Sequence, residues 1–161
     1  MTATAYDFSA DDVFELAEDI EVNGMEFYKN AAEKVDNPAH KELLQELADM
    51  ELTHKKIFAE MRKELAGKEK NETVFDPEGE AVAYIKALAD IRVFFEKKID
   101  TSSMEEILKD AITAEKDSIV LYTGMREMVP EKYGKNRIDN IIKEEMGHIR
   151  LLSRELKNLG K

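Results

Sequence analysis

The sequence predicts an all-α chain in which two antiparallel helical hairpins are joined by a long crossover carrying a short helix. Three observations predict it. The composition is helical, with only three prolines and seven glycines among 161 residues, and with Ala, Leu, Glu, Lys and Met plentiful. Apolar residues recur at three- and four-residue spacing in four long stretches, and no alternating strand pattern competes. The connections are also unequal: two are tight turns, whereas about 35 residues separate the second stretch from the third. Short connections imply antiparallel neighbours, and a long one implies a crossover along the bundle.

The first long helix is expected from Ala10 to Val35, with Ser9 or Asp11 as its cap and Asp36-Asn37-Pro38 closing it. The second runs from Pro38 to Ala66 and stops at Gly67. Lys68 to Gly79 is polar and contains Asp76-Pro77, so it reads as loop. Glu80 to Ile99 is apolar again and predicts one or two short helices. Ser102-Ser-Met-Glu105 is a capping box that opens the third long helix, at Ser102 or Ser103, which continues to Met128. Val129-Pro130 to Gly134 turns the chain into the fourth, from Asn136 to Leu159, capped by Gly160.

Residues 1–161 are the expected size of one domain, long enough to bury a core without disulfides. The absence of cysteine excludes iron–sulfur clusters, thiolate zinc sites, disulfides and Cys nucleophiles. With 24 Lys+Arg against 35 Asp+Glu, the net charge of −11 leaves no basic surface for phosphate, so no nucleic-acid partner is expected. Neither a signal segment nor a membrane span is visible, and the cytoplasm is the expected compartment.

An internal repeat carries the functional signal. Shifting the chain by 94 residues places Ala17 on Ala111, Glu21 on Glu115, Tyr28 on Tyr122, Glu51 on Glu145 and His54 on His148. Each half therefore reads Ala-x3-Glu-x6-Tyr on its first helix and Glu-x-x-His on its second. Other acids, such as Glu18 and Glu26, fall on Ile112 and Val120, so the repeat selects particular carboxylates.

These residues occupy positions where charge is unexpected. The first helix carries the seam Phe14, Ala17, Glu21, Gly24, Tyr28, Ala31, Val35, and the third carries Leu108, Ala111, Glu115, Ser118, Tyr122, Met125, Val129. The second carries Leu44, Leu47, Glu51, His54, Phe58, Met61, Leu65, and the fourth Ile138, Ile141, Glu145, His148, Leu152, Glu155, Leu159. Residues three apart share a helix face, so each Glu-x-x-His directs both groups at one object. Burying one unpaired carboxylate costs several kcal/mol, and no Lys or Arg on the seams offsets four of them. Two divalent cations would, leaving the imidazoles as neutral ligands. The donor set suits iron or manganese, with zinc also possible.

One Glu from each of two helices and Glu-x-x-His from each of the other two is the arrangement of ferritin-like di-iron carboxylate proteins. Glu21-Val-Asn-Gly-Met-Glu-Phe-Tyr28, Glu51-Leu-Thr-His54, Glu115-Lys-Asp-Ser-Ile-Val-Leu-Tyr122 and Glu145-Met-Gly-His148 resemble the rubrerythrin-like branch of that superfamily over nearly the whole chain. The resemblance implies a ferritin-like four-helix bundle holding two iron ions, with Glu51 and Glu145 bridging, Glu21 and Glu115 terminal, and His54 and His148 each on one ion. It implies that Tyr28 and Tyr122, two turns from Glu21 and Glu115, hydrogen-bond to ligands. It also implies oxidation of Fe(II) by hydrogen peroxide or oxygen, which protects a cell from oxidative stress.

Departures from the pattern narrow the expectation. A rubredoxin module needs cysteines that this chain lacks, so electrons come from a separate protein such as a rubredoxin, or from Fe(II) itself. The position of rubrerythrin's extra third-helix glutamate is Ser118, which places peroxide cycling in question. Leu52 stands where bacterioferritin has its haem-ligating Met, so no haem is expected. A fifth helix typical of cage ferritins is not seen, which disfavours a shell, and a homodimer is the expected assembly. Phe94 and Phe95 suit either the core or a dimer contact. Beside the oxidoreductase stand an iron-binding or storage protein and a structural zinc site, and the two tyrosines also suit an ordinary apolar seam. His40 has no repeat partner and is expected at the surface.

Overall fold

A computed structural model describes residues 10–65, 80–91, 103–129, 131 and 134–160. Five helices follow in order: α1 (Ala10–Lys34), α2 (Pro38–Leu65), α3 (Glu80–Ile91), α4 (Met104–Met128) and α5 (Lys135–Leu159). No strand occurs among the described residues. The four long helices and the short crossover helix match the expected all-α bundle. Ser9, Gly67, Lys68 to Gly79, Phe94 with Phe95, Ser102 and Pro130 lie outside the described residues.

Local chemistry sets the helix ends. Asn37 opens α2: its Oδ1 accepts the backbone N–H of Ala39 at 2.9 Å and of His40 at 3.2 Å, while Pro38 occupies the first helical position, where no N–H is needed. At α4 the cap is Ser103, whose hydroxyl accepts the Glu106 N–H at 3.2 Å. The cap is thus Ser103, the second of the two serines the sequence offers, with an extended backbone. Before α5, Gly134 has φ of 102°, and a Cβ there would meet the Arg137 guanidinium at 2.6 Å. Gly134→Ala is expected to destabilise the chain by roughly 1–2 kcal/mol, read as a lower denaturant midpoint at constant slope.

α1 packs along α2 and α4 along α5, each pair joined by a tight turn. Contacts between hairpins fix their relative direction. Tyr28 bonds to Glu115 and Tyr122 to Glu21, so advancing along α1 means retreating along α4. On the other side, His54 meets Glu145 and His148 meets Glu51, so α2 and α5 are antiparallel too. Both relations are reciprocal between the halves, as a pseudo-twofold axis through the bundle would make them. α3 lies chiefly on α4: Ile85 is fully buried, and Tyr84 donates to the Val120 carbonyl at 3.2 Å above Gly124, where a Cβ would strike its ring at 2.7 Å.

The seams read from the sequence are the core. Every seam position of α2 and α4 is buried, as are those of α1 to Ala31 and of α5 to Leu152. The end of the α5 seam differs, with Glu155 half-buried and Leu159 exposed. Arg62 ties α2 to α1 through a two-pronged pair with Asp11 and a bond to Glu18 at 3.1 Å, and Arg126 joins α4 to α5 through Asp139 at 3.2 Å. No described helix is long and apolar enough to cross a membrane.

Candidate metal centre

Halfway along the bundle the apolar seams give way to six polar side chains facing one another. Glu21 from α1, Glu51 and His54 from α2, Glu115 from α4, and Glu145 and His148 from α5 are each 3% exposed or less. Every ligand position predicted from the sequence is therefore in one place. Two overlapping groups form, Glu21, Glu51, His54 and Glu145 in one and Glu51, Glu115, Glu145 and His148 in the other, each with one donor atom per residue within 4.8 Å of the rest. Glu51 and Glu145 belong to both groups, whereas Glu21 and Glu115 belong to one each. A third acidic group, Asp11, Asp12 and Glu15, sits at the solvated end of α1, where Arg62 pairs with Asp11 and Glu15.

Both imidazoles turn Nδ1 inward. His54 Nδ1 lies 2.8 Å from Glu145 Oε1, 3.7 Å from Glu21 and 3.8 Å from Glu51. His148 Nδ1 lies 3.1 Å from Glu145 Oε2, 3.3 Å from Glu115 and 3.6 Å from Glu51. The rings stack with centroids 5.9 Å apart. One carboxylate oxygen of each glutamate, namely Glu21 Oε2, Glu51 Oε1, Glu115 Oε2 and Glu145 Oε2, is buried without a well-aligned hydrogen bond, and two of them, Glu145 Oε2 and Glu51 Oε1, lie only within ion-pair range of His148 Nδ1. Four such atoms at one level are costly unless something positive meets them. Carboxylate oxygens and inward imidazole nitrogens are the donor set of iron, manganese or zinc, so the residues fit a pair of such ions.

The tyrosines act across the halves. Spacing along the chain associates Tyr28 with Glu21 and Tyr122 with Glu115, but Tyr28 donates to Glu115 Oε1 at 2.7 Å and Tyr122 to Glu21 Oε1 at 2.6 Å. The antiparallel crossing of α1 and α4 explains the exchange, since it brings each hydroxyl over the opposite glutamate. The oxygen that each hydroxyl holds also lies near an imidazole, Glu115 Oε1 at 3.3 Å from His148 Nδ1 and Glu21 Oε1 at 3.7 Å from His54 Nδ1, and the other oxygen is buried without a hydrogen bond. Tyr28→Phe and Tyr122→Phe are each expected to retain the fold, because the rings stay buried, and to weaken metal binding roughly tenfold in a competition titration.

The buried charges push proton affinities upward. Burial, then the Glu51 charge, raises Glu21 well above the usual carboxylate range. Burial raises Glu51 as well, and it lifts Glu115, helped by the Glu145 charge, to about 8. Burial alone would lower both imidazoles, but the surrounding carboxylates outweigh it, raising His54 strongly and His148 to about 12. Glu145 goes the other way: burial raises it, yet hydrogen bonds with Glu115, His148 and His54 bring it below its ordinary value. Both tyrosines are raised by burial and by the glutamates beside them, so their hydroxyls stay protonated donors.

Two residues next to this cluster lie outside the predicted set. Glu144 Oε2 is 2.5 Å from the outer nitrogen, Nε2, of His54, and Met50 Sδ is 3.3 Å from Nε2 of His148. Both precede a cluster glutamate and correspond under the 94-residue shift, but one is acidic and the other apolar, so no shared residue type marks them. Ser118, buried on the α4 seam, donates its hydroxyl to the Ala114 carbonyl at 3.0 Å.

No curated protein matches the sequence significantly. Among solved structures, a protein from Thermotoga maritima described as ferritin-like and diiron-carboxylate aligns with a TM-score of 0.65 and 26% identity, covering 92% of this chain and 95% of that one. This similarity supports the ferritin-like bundle that the resemblance implies. Residues 12–104, more than half of the chain, match the Rubrerythrin family, and the chain belongs to that family.

Proposed function

We propose that this chain is a non-haem di-iron oxidoreductase that oxidises Fe(II) with hydrogen peroxide or oxygen. The observation that carries the reading is the enclosed set of four glutamates and two histidines with four orphaned carboxylate oxygens. Glu51 and Glu145, common to both groups, would hold both ions. Glu21 with His54 would complete one position, and Glu115 with His148 the other. Two ferrous ions held there supply one electron each, enough to reduce one hydrogen peroxide to two waters with two protons.

The chain's own residues contribute geometry and proton control. Tyr28 and Tyr122 hold Oε1 of Glu115 and Glu21 and so restrict the rotation of both carboxylates, whose Oε2 atoms are buried without a hydrogen bond. Apolar neighbours along the seams, with Phe58 on one side of the cluster and Leu152 on the other, exclude bulk water and strengthen every electrostatic contact inside it. His54 Nδ1, His148 Nδ1 and the raised carboxyls hold protons in the metal-free chain and release them when cations take their place. A separate protein, such as a rubredoxin, would return electrons, since the chain lacks the cysteines for its own module.

Anaerobic loading with two equivalents of Fe(II) per chain, followed by rapid mixing with peroxide or oxygen, tests the reading through the near-UV ferric absorption. Fast oxidation limited to two irons per chain, quicker with peroxide, is expected. Quicker reaction with oxygen and continued turnover beyond two irons would instead establish storage, and binding without oxidation a structural site.

A further inference from the structure

The two halves of the centre match in their inward ligands and differ in what stands behind the histidines. Behind His54, Nε2 meets the Glu144 carboxylate at 2.5 Å. Behind His148, at the position related by the internal repeat, Nε2 meets the Met50 thioether at 3.3 Å. With Nδ1 turned to the cluster, Nε2 carries the ring proton and donates it outward. A carboxylate accepts that bond strongly and raises the basicity of the ring as a metal ligand, whereas thioether sulfur is a weak acceptor. The negative charge of Glu144 further favours a cation on the His54 side. Both outer residues are partly exposed, at 51% for the Glu144 side chain and 38% for Met50, so neither is part of the packed core.

From this asymmetry we propose that the two metal positions are inequivalent and fill in order, the one completed by Glu21 and His54 before the one completed by Glu115 and His148, with Glu144 and Met50 as the positioning residues that set the order. The inference rests on the two-ion centre proposed above. A carboxylate partner behind a ligating histidine changes metal affinity by about 10–100-fold. Because solvent screens Glu144, the lower end is expected, about a tenfold preference for the His54 position.

The chain has three histidines, which makes the order directly readable. In a sample labelled with nitrogen-15 at histidine and titrated with Zn(II), the first equivalent is expected to move the His54 Nδ1 resonance to its metal-bound position, and the second to move that of His148. His40 serves as the unperturbed reference. Glu144→Met gives both rings a thioether and Met50→Glu gives both a carboxylate, so in either variant the two resonances move together. The exchanged variant, E144M with M50E, should reverse the order, a result that a merely structural role for either residue does not produce. Wild-type resonances that move together, or an order unchanged in Glu144→Met, would overturn the inequivalence while leaving the two-ion centre standing. If Zn(II) moves neither ring, the centre itself fails and the inference falls with it.

Discussion

Replacing Glu51 and Glu145 together by Ala is expected to abolish metal binding at both positions, with a loss of at least about 100-fold in affinity at each, beyond the effect of removing an outer hydrogen-bond partner. The reason is that these two residues alone belong to both ligand groups. Each substitution removes one donor from each group, and the pair leaves a single Glu and a single His per ion, which is too few to displace the water around Fe(II). Metal analysis after desalting should give two ions per chain for the parent and none for the variant. Glu15→Ala, in the exposed acidic group beside Arg62, is the control and should still hold two.

The second large effect is a pH-dependent instability of the metal-free chain that metal removes. Glu115, ordinarily near 4.5, titrates at about 8 in the fold, chiefly because it is buried and then because of Glu145. His148, ordinarily at 6.5, is pushed up to about 12 when hydrogen bonds to Glu115, Glu145 and Glu51 overcome its burial. Both folded values exceed the unfolded ones, so the folded metal-free chain binds more protons than the unfolded chain. The stability these groups contribute is fully present in acid and is lost as pH rises, for Glu115 between 4.5 and about 8 and for His148 from 6.5 upward. Glu21, Glu51 and His54 shift in the same sense, and Glu145 opposes them. The melting temperature of the metal-free chain should therefore fall by roughly 5–10 °C between about pH 5.5 and about pH 8. The metal-loaded chain should change much less, because the cations replace the protons. A melting temperature that rises over this interval in the absence of metal would contradict the charge balance described for the cluster.

Much of this was legible in the sequence because burying charge is expensive. A glutamate placed in the middle of an apolar seam, as Glu21 is between Ala17 and Tyr28, needs a reason, and its repetition at Glu115 supplies one. The same cost makes the Glu-x-x-His pairs visible on α2 and α5, and helical periodicity places each of the six groups on the buried face of its own helix. What the sequence left open depends on contacts between helices. The crossed tyrosine bonds need the antiparallel direction of α1 against α4, which no spacing along the chain records. Glu144 and Met50 lie off the seams, on partly exposed faces where acids and methionines are common, and they matter only because α2 and α5 bring each against the other's histidine. Two consecutive serines offer the same capping oxygen to α4, so the sequence alone does not single out Ser103.

The central claim is that one chain holds two metal ions between its four long helices. Crystals loaded anaerobically with Fe(II) and measured on both sides of the iron absorption edge test it most directly, because anomalous difference density locates iron independently of the protein. Two peaks are predicted, one against His54 Nδ1 and one against His148 Nδ1, with Glu51 and Glu145 reaching both. A single peak, or iron found only at Asp11, Asp12 and Glu15, would contradict the account.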